Sequence, residues 1–598
     1  MKHLAVLNKF FLKYRWLFFW GVVFVTASNF FRVLQPQMIR EALDLVFENI
    51  QLYKLFNGTE NQAAVFASLG KVLMLFGIVV LVLALLMGVF MYFMRQTIIV
   101  MSRLIEYDMR KEIFGHYEKL TLAFYKRNNT GDLMSRITED VNKVRMYLGP
   151  AILYGINLVT LFVLVIWSML SVNVELTLYC LLPMPVLAFS IYYVSNLINK
   201  RSGIIQTQLA SLNSTAQEVY SGIRVVKSYV RENPMADFFK DQSEDYKEKA
   251  MGLARVDALF HPTMLLLIGA STILTVYVGG LKVVSGAITP GNIAEFVIYV
   301  NMLTWPVTAL GWITSIIQQA AASQKRINEF LQTKPDILNE VSSNEKINGD
   351  IKFENATFVY PDSGIKALDN VSFELKPGEK MAIVGRTGSG KTTIADLLTR
   401  MYDVTDGQIL VDNKNIKDRD LNNLRQQIGY VPQDVFLFSD TIANNVRFGK
   451  GEASDEEVYE YTKHAAIYDE ISDLPEGFNT MVGERGVTLS GGQKQRVSIA
   501  RAFIKNPNII LLDDCLSAVD TNTEKRIMTY FDKSLADKTA IIITHRIYSL
   551  LKFDKILVLD EGKIIEAGTH EELIEMQGYY FDLVEKQQAE EVSESDVA

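Results

Sequence analysis

Residues Met381 to Thr393 read MAIVGRTGSGKTT. Met381 to Val384 are apolar and short in span, which predicts a buried strand, and the TIADLLTRMY that follows predicts a helix. Between them lies Gly-x4-Gly-Lys-Thr, with glycines that free the backbone to wrap closely around an anion. A strand that ends in such a loop and opens a helix aims backbone N–H groups and the positive end of the helix dipole at a phosphate. Gly385, Arg386, Thr387, Gly388, Ser389, Gly390, Lys391, Thr392 and Thr393 therefore form a candidate triphosphate cradle for ATP. Lys391 is placed to reach the β and γ oxygens, and Thr392 to hold Mg2+. This stretch puts the second half of the chain among α/β folds with a phosphate loop.

Two other stretches support that reading. IILLDDCLSAVD, Ile509 to Asp520, begins as a buried strand and delivers Asp513 to its end, where a carboxylate can hold the hydration shell of Mg2+. Asp514 follows, at the place where the base that splits ATP is expected. TLSGGQKQRVSIARA supplies Ser490, Gly491, Gly492 and Gln493 immediately before an amphipathic helix, a second start suited to grasping phosphate. One nucleotide site has little use for two such clamps from one chain. The second is expected to serve ATP held by another subunit.

The first half differs in composition. Of 598 residues 49% are hydrophobic, and the excess lies before about residue 325. Apolar runs long enough to cross a bilayer recur six times, near 16–38, 72–94, 150–170, 176–197, 259–282 and 296–321. Lysines and arginines crowd the stretches before the first run and between the second and third, which predicts cytoplasmic termini and a multi-pass protein of a cell inner (cytoplasmic) membrane. The first run is too long for a cleaved signal peptide and is read as a retained span. The long connections after the second and fourth runs carry apolar residues at helical spacing, so the spans should continue as helices beyond the bilayer. Expected boundaries are a membrane domain of six helices over 1–325, a linker over 326–350, a nucleotide-binding α/β domain over 351–585 and an acidic disordered tail over 586–598. A net charge of −8 argues against a nucleic-acid partner. Cys180 and Cys515 imply no disulfide framework.

With these motifs in order, the chain resembles an ATP-binding-cassette exporter of the B-type multidrug and lipid-flippase group, as a half-transporter with the membrane domain first. The resemblance implies further roles. Tyr360 in FVYPD matches the aromatic that stacks on adenine; Gln433 in GYVPQD matches the glutamine that senses Mg2+ and the attacking water. Leu489 to Gln493, LSGGQ, is similar to the signature that faces the other subunit's γ-phosphate. Asp520 in SAVD matches an aspartate that crosses the dimer interface, Glu484 in TMVGERG a loop that touches the membrane domain, and His545 in IITHR a histidine on the γ-phosphate. The family pattern has glutamate where this chain has Asp514. A carboxylate one methylene shorter leaves acidity alone and withdraws the oxygens by about 1 Å, so slower hydrolysis is expected. Relatives with this departure often pair with a different half-transporter that supplies the glutamate, which favours a heterodimer over a homodimer. The resemblance implies ATP-driven export of amphipathic drugs or lipids, with catalytic Asp514, His545 and Gln433, and Mg2+ on Thr392, Gln433 and Asp513. Polar residues of the last span, Asn301, Thr304, Trp305, Thr308, Trp312, Thr314 and Gln318, and Arg32 of the first, are candidates for the passenger's path. A membrane-bound ATP-dependent sensor that moves no solute is the rival reading.

Overall fold

The computed structural model describes residues 2–56, 58, 61–545 and 552–595. It divides into two compact units, one of residues 1–118 and 131–333, the other of residues 119–130 and 334–598.

The first unit is helical. Among the described residues six helices are long and apolar enough to span a membrane: Arg15–Leu55, Gln62–Tyr117, Thr130–Val172, Val174–Ser221, Glu232–Val284 and Pro290–Leu331. Each exceeds the roughly 20 residues that a bilayer requires, so the spans do continue as helices past the hydrocarbon. The second helix is apolar all round and buries none of its most hydrophobic window, with Leu75, Leu81 and Leu85 facing outward. In a protein made for lipid that exposure carries no cost, since hydrocarbon solvates leucine as well as a core does. Polar groups are paired instead. Asn29, 2% exposed, donates to the Thr160 hydroxyl at 2.6 Å, and the fully buried Glu295 lies 3.3 Å from Arg40 and accepts from the Tyr299 hydroxyl at 3.0 Å. Asn29 is therefore a bolt between the first and third helices. Arg32, half-buried, has no hydrogen bond or ion pair among the described residues.

The sixth helix runs to Leu331, into the stretch expected as linker, because Ile327 and Phe330 continue its buried stripe. From Lys334 onward the chain belongs to the second unit as a pinned strap, with Asp420 accepting from the Asn339 side chain and the Ser343 backbone, each at 3.0 Å.

The second unit holds two sheets. Strands β1 (Ile351–Val359), β2 (Lys366–Leu375), β4 (Asp406–Val411) and β5 (Lys414–Asn415) form an antiparallel sheet in the order β2-β1-β4-β5. Strands β3 (Lys380–Gly385), β6 (Ile428–Val431), β7 (Ile509–Asp513), β8 (Thr539–Ile543), β9 (Lys555–Asp560) and β10 (Lys563–Gly568) form the other, in the order β10-β9-β3-β8-β7-β6. All neighbours in this second sheet are parallel except the edge pair β10 and β9. Parallel strands are covered on both faces and read as unbroken apolar runs. β7 and β8 are buried at every residue, whereas β1 alternates between buried and partly exposed.

A last helix, Tyr579–Ser595, packs Tyr580 and Val584 against Val384 and Val558. The expectation of a disordered tail from 586 is corrected through 595: that stretch is rich in the helix formers Gln, Ala and Glu and continues a helix already anchored. Residues 596–598 lie outside the described residues.

Candidate nucleotide site

Sheet order does most of the assembly. β3, β8, β7 and β6 are adjacent and parallel, so their carboxyl ends open on one edge, the place where open α/β sheets bind ligands. β3 brings Gly385 and the phosphate loop. β8 is followed by His545, β7 ends at Asp513 with Asp514 next, and Gln433 comes two residues after β6. Four segments far apart in sequence meet because hydrophobic strands sort into one layer.

The loop's conformation needs its glycines. Gly390, at the start of the helix Lys391–Leu398, has φ of 99°, and a Cβ there would lie 2.2 Å from the Ala367 carbonyl oxygen. Lys391 Nζ, 7% exposed, donates to the carbonyls of Gly385 at 2.9 Å and Arg386 at 2.7 Å. Burial holds its pKa below the usual lysine value, with Asp513 and Asp514 opposing. The ammonium is thus parked on the loop it is expected to serve.

Asp513 is 1% exposed, and burial pushes its pKa up to about 6, while a hydrogen bond with Thr392 pulls the other way. Its Oδ2 is buried with no hydrogen-bond partner, as is the Ser389 hydroxyl oxygen. Two orphaned oxygen atoms beside a threonine hydroxyl and a phosphate loop are the donor set a hard divalent cation takes; the residues fit Mg2+. Asp514 has a φ of 46°, and its N–H donates to the Ile543 carbonyl at 2.8 Å. His545 has its pKa lowered by partial burial and then by Lys391, with a hydrogen bond to the Gly385 backbone opposing. Gln433 is exposed at the same edge.

Tyr360 joins the edge from the other sheet. Its hydroxyl lies 3.0 Å from the Thr393 hydroxyl, and its ring meets Phe358 and Tyr402 edge-on.

Ser490, Gly491, Gly492 and Gln493 are not brought to this edge. Ser490 caps the helix Gly491–Phe503 in a capping box, its N–H donating to Gln493 Oε1 at 2.9 Å and its hydroxyl accepting from the Gln493 N–H at 3.3 Å. Gln493 also donates to Glu470 at 3.0 Å. Gly492 lies against the turn after Asp514, where a Cβ would come within 2.6 Å of the Ala518 carbonyl oxygen. Asp520 caps the helix Thr521–Ser534 by accepting from the Thr523 N–H at 3.0 Å. Among the described residues no hydrogen bond or ion pair joins Ser490–Gln493 or Asp520 to the phosphate loop.

Sequence reasoning expected the tips of the two long connections to push on the soluble domain but marked no residues there; the segment Lys119–Thr130 of the first connection belongs to the second unit. Its helix Leu122–Arg127 buries Ala123 in the same core as Phe358 and Tyr402, and holds Lys126 Nζ 5.2 Å from the Tyr360 ring centroid. The run LAFYKR carries no motif by which to find it.

These features define a membrane-embedded ATPase with a phosphate loop. Residues 18–307 match the model of the ABC transporter transmembrane region, and residues 368–517 the model described as ABC transporter. A probable multidrug resistance ABC transporter ATP-binding/permease protein, YheI of Bacillus subtilis, is 36% identical over 98% of both chains. The multidrug resistance-like ATP-binding protein MdlA of Escherichia coli is 35% identical over 87% of this chain and 88% of its own. An ATP-dependent lipid A-core flippase of Photobacterium profundum is 35% identical over 80% and 82%. The chain belongs to the ABC transporters, as an ATP-hydrolysing half-transporter of the exporter type, with six membrane helices followed by one nucleotide-binding domain.

Proposed function

We propose that the chain is one half of a two-chain exporter that moves amphipathic drugs or lipids outward across the cytoplasmic membrane, by alternating access driven by ATP at sites shared between two nucleotide-binding domains. The observation that carries the shared site is the separation within one chain. The carboxyl edge holds Lys391, Thr392, Asp513, Asp514, Gln433 and His545, while the Ser490 cap and Asp520 share no hydrogen bond or ion pair with the phosphate loop among the described residues and would find a phosphate on a second subunit. In that arrangement Tyr360 stacks on adenine, the loop from Gly385 to Thr393 wraps the phosphates, and Lys391 neutralises the β and γ oxygens. Asp514 orients the attacking water, with Gln433 and His545 beside the γ-phosphate. Bound Mg2+ supplies charge neutralisation at the phosphates and is held by Thr392, Asp513 and Gln433. Lysine and arginine placement supports a cytoplasmic nucleotide-binding domain and cytoplasmic termini.

An amphipathic passenger is supported by the names of the relatives and by a cavity of about 690 Å3 in the first unit. Its lining is almost wholly apolar, with Phe11 and Phe18 from the amino-terminal end, Ile152 and Ile156 from the third helix and Ile313 and Ile317 from the sixth. That volume suits a drug-sized molecule or an acyl tail. Trp305 and Trp312 of the sixth helix meet Tyr154 edge-on while staying about half exposed. Asp514 in place of glutamate favours a heterodimer, in which the partner completes the faster site.

Reconstitution into lipid vesicles tests this reading. ATP-dependent movement of fluorescent lipids or dyes is expected, and Lys391→Ala should slow it by reducing nucleotide binding at this site. Steady ATP turnover with no movement of any probe in a broad panel would favour the sensor instead.

A further inference from the structure

We propose that Lys126 is a positioning residue for nucleotide binding: from the connector between the second and third membrane helices, it holds the Tyr360 ring in the posture that stacks on the base. The inference rests on the reading of Tyr360 as the base-stacking residue. It adds a residue that no sequence motif marks.

The tyrosine is gripped from three sides. Its hydroxyl is fixed to Thr393, two residues after Lys391. Its edges meet Phe358 at a centroid separation of 4.9 Å and Tyr402 at 5.6 Å, at 78° and 86°. Over its face lies the Lys126 ammonium, 5.2 Å from the Tyr360 centroid and 5.5 Å from that of Tyr402, within reach of both π clouds. A cation on one face leaves the opposite face for a purine.

The surroundings of the ammonium are charged and anchored. Arg127 forms an ion pair with Asp362, two residues beyond Tyr360, so adjacent cations of the connector hold the tyrosine's ring and its loop. Asp396, on the helix that begins at Lys391, is half-buried, which pushes its pKa above the usual carboxylate range, and Lys126 opposes that push. Ala123 and Leu122 seat the connector helix in the core that also holds Phe358 and Tyr402. The lysine thus links three things: the stacking ring, the phosphate-loop helix and a segment whose two ends continue into membrane helices. Whatever displaces that segment frees the ring, and by reciprocity a stacked base holds the segment in place.

The test compares ATP with inorganic tripolyphosphate, which fills the phosphate loop and has no base. Affinities of the full-length protein in lipid nanodiscs are measured by displacement of a fluorescent nucleotide, with EDTA present to stop hydrolysis. Lys126→Ala should weaken ATP about three- to tenfold and leave tripolyphosphate within about twofold. Lys126→Arg should restore ATP binding, because a guanidinium also sits over an aromatic face. Tyr360→Ala should weaken ATP at least as much as Lys126→Ala, again with tripolyphosphate spared. Equal losses for both ligands in Lys126→Ala would mean general damage to the unit and overturn the proposal. Full ATP affinity in Lys126→Ala beside a clear loss in Tyr360→Ala would overturn it while leaving the base site in place. No loss in Tyr360→Ala would remove the base site itself, and the proposal with it.

Discussion

At Asp514 two properties of one residue pull in different directions. Its side chain is short for a water-orienting carboxylate, yet its backbone sits at φ of 46°, a left-handed conformation that aspartate tolerates better than most residues. Glutamate there costs at most a fraction of the roughly 1–2 kcal/mol that the left-handed region asks of an ordinary side chain, because the N–H bond to Ile543 already holds the turn. Asp514→Glu should therefore raise ATP turnover of the assembled transporter, on the order of tenfold or more at this site, with nucleotide affinity nearly unchanged; phosphate release under saturating ATP reads it. Unchanged turnover would mean that reach is not what limits this site. The neighbouring Asp513 makes a prediction about stability. Its carboxyl is raised from 3.8 to about 6 in the fold, so the native state disfavours its ionised form by up to about 3 kcal/mol. The sign follows: stability is lost as pH rises from about 4 through about 6, and the loss is complete near neutrality. Asp513→Asn should raise the melting temperature of the nucleotide-free protein in EDTA by several degrees at neutral pH. The gain should shrink below about pH 6, and Mg2+-dependent hydrolysis should be lost throughout. A gain independent of pH would show that ionisation is not its cause.

Among the elements, the helix Gly491–Phe503 and the turn after β7 behave as one body. Gln495 Oε1 accepts from the Ala518 N–H at 3.2 Å, and Gly492 leaves no room for a methyl against the Ala518 carbonyl. Gly492→Ala must shift either the helix start or the turn that carries Asp514, and a displacement near 1 Å costs on the order of a hundredfold in a reaction that needs an aligned water. Hydrolysis should fall at least tenfold while ATP binding to the phosphate loop changes less than about twofold; equal losses in both would place the damage elsewhere. The same elements show what a sequence can reveal. β3 and β7 were legible because burial on both faces leaves unbroken apolar runs, MAIV and IILL, beside residues whose chemistry is local. The six spans were legible for the same reason, since lipid asks for apolar length and little else. The antiparallel sheet was not, because β1 and β4 pair through registers broken by bulges and carry no motif. Nor were the individual contacts of the connector, whose Arg127 pairs with Asp362 across 235 residues; contacts at that separation leave no period in either segment, although helical spacing did suggest that the tips of the long connections act on the soluble domain. The linker and tail were misjudged from composition, which does not register that a helix already anchored keeps going.

At the scale of the whole molecule, one chain carries each half of a nucleotide site once. In the proposed exporter, the phosphate loop with its metal carboxylate and the capped helix start at Ser490, which no hydrogen bond or ion pair joins among the described residues, are two halves of a site that is closed between two chains. On that proposal two chains facing head to tail would complete both sites, and closure would be the step that drives the membrane helices. If the facing chain is a different half-transporter that carries glutamate at the position of Asp514, the two sites are unequal: this chain lends its intact Ser490–Gln493 start to the fast one and keeps the slow one. The expected outcome is specific. Tagged protein drawn from its native membrane in mild detergent should carry a second, distinct half-transporter in about a one-to-one ratio, and this chain purified alone should turn over ATP at least tenfold more slowly than the pair. Within the pair, replacing Ser490 of this chain by arginine should stop most hydrolysis, because it blocks the clamp on the partner's site, whereas Lys391→Ala should spare a larger share. A complex built only of this chain with undiminished turnover would establish a homodimer, and the inequality of the two sites would fall with it.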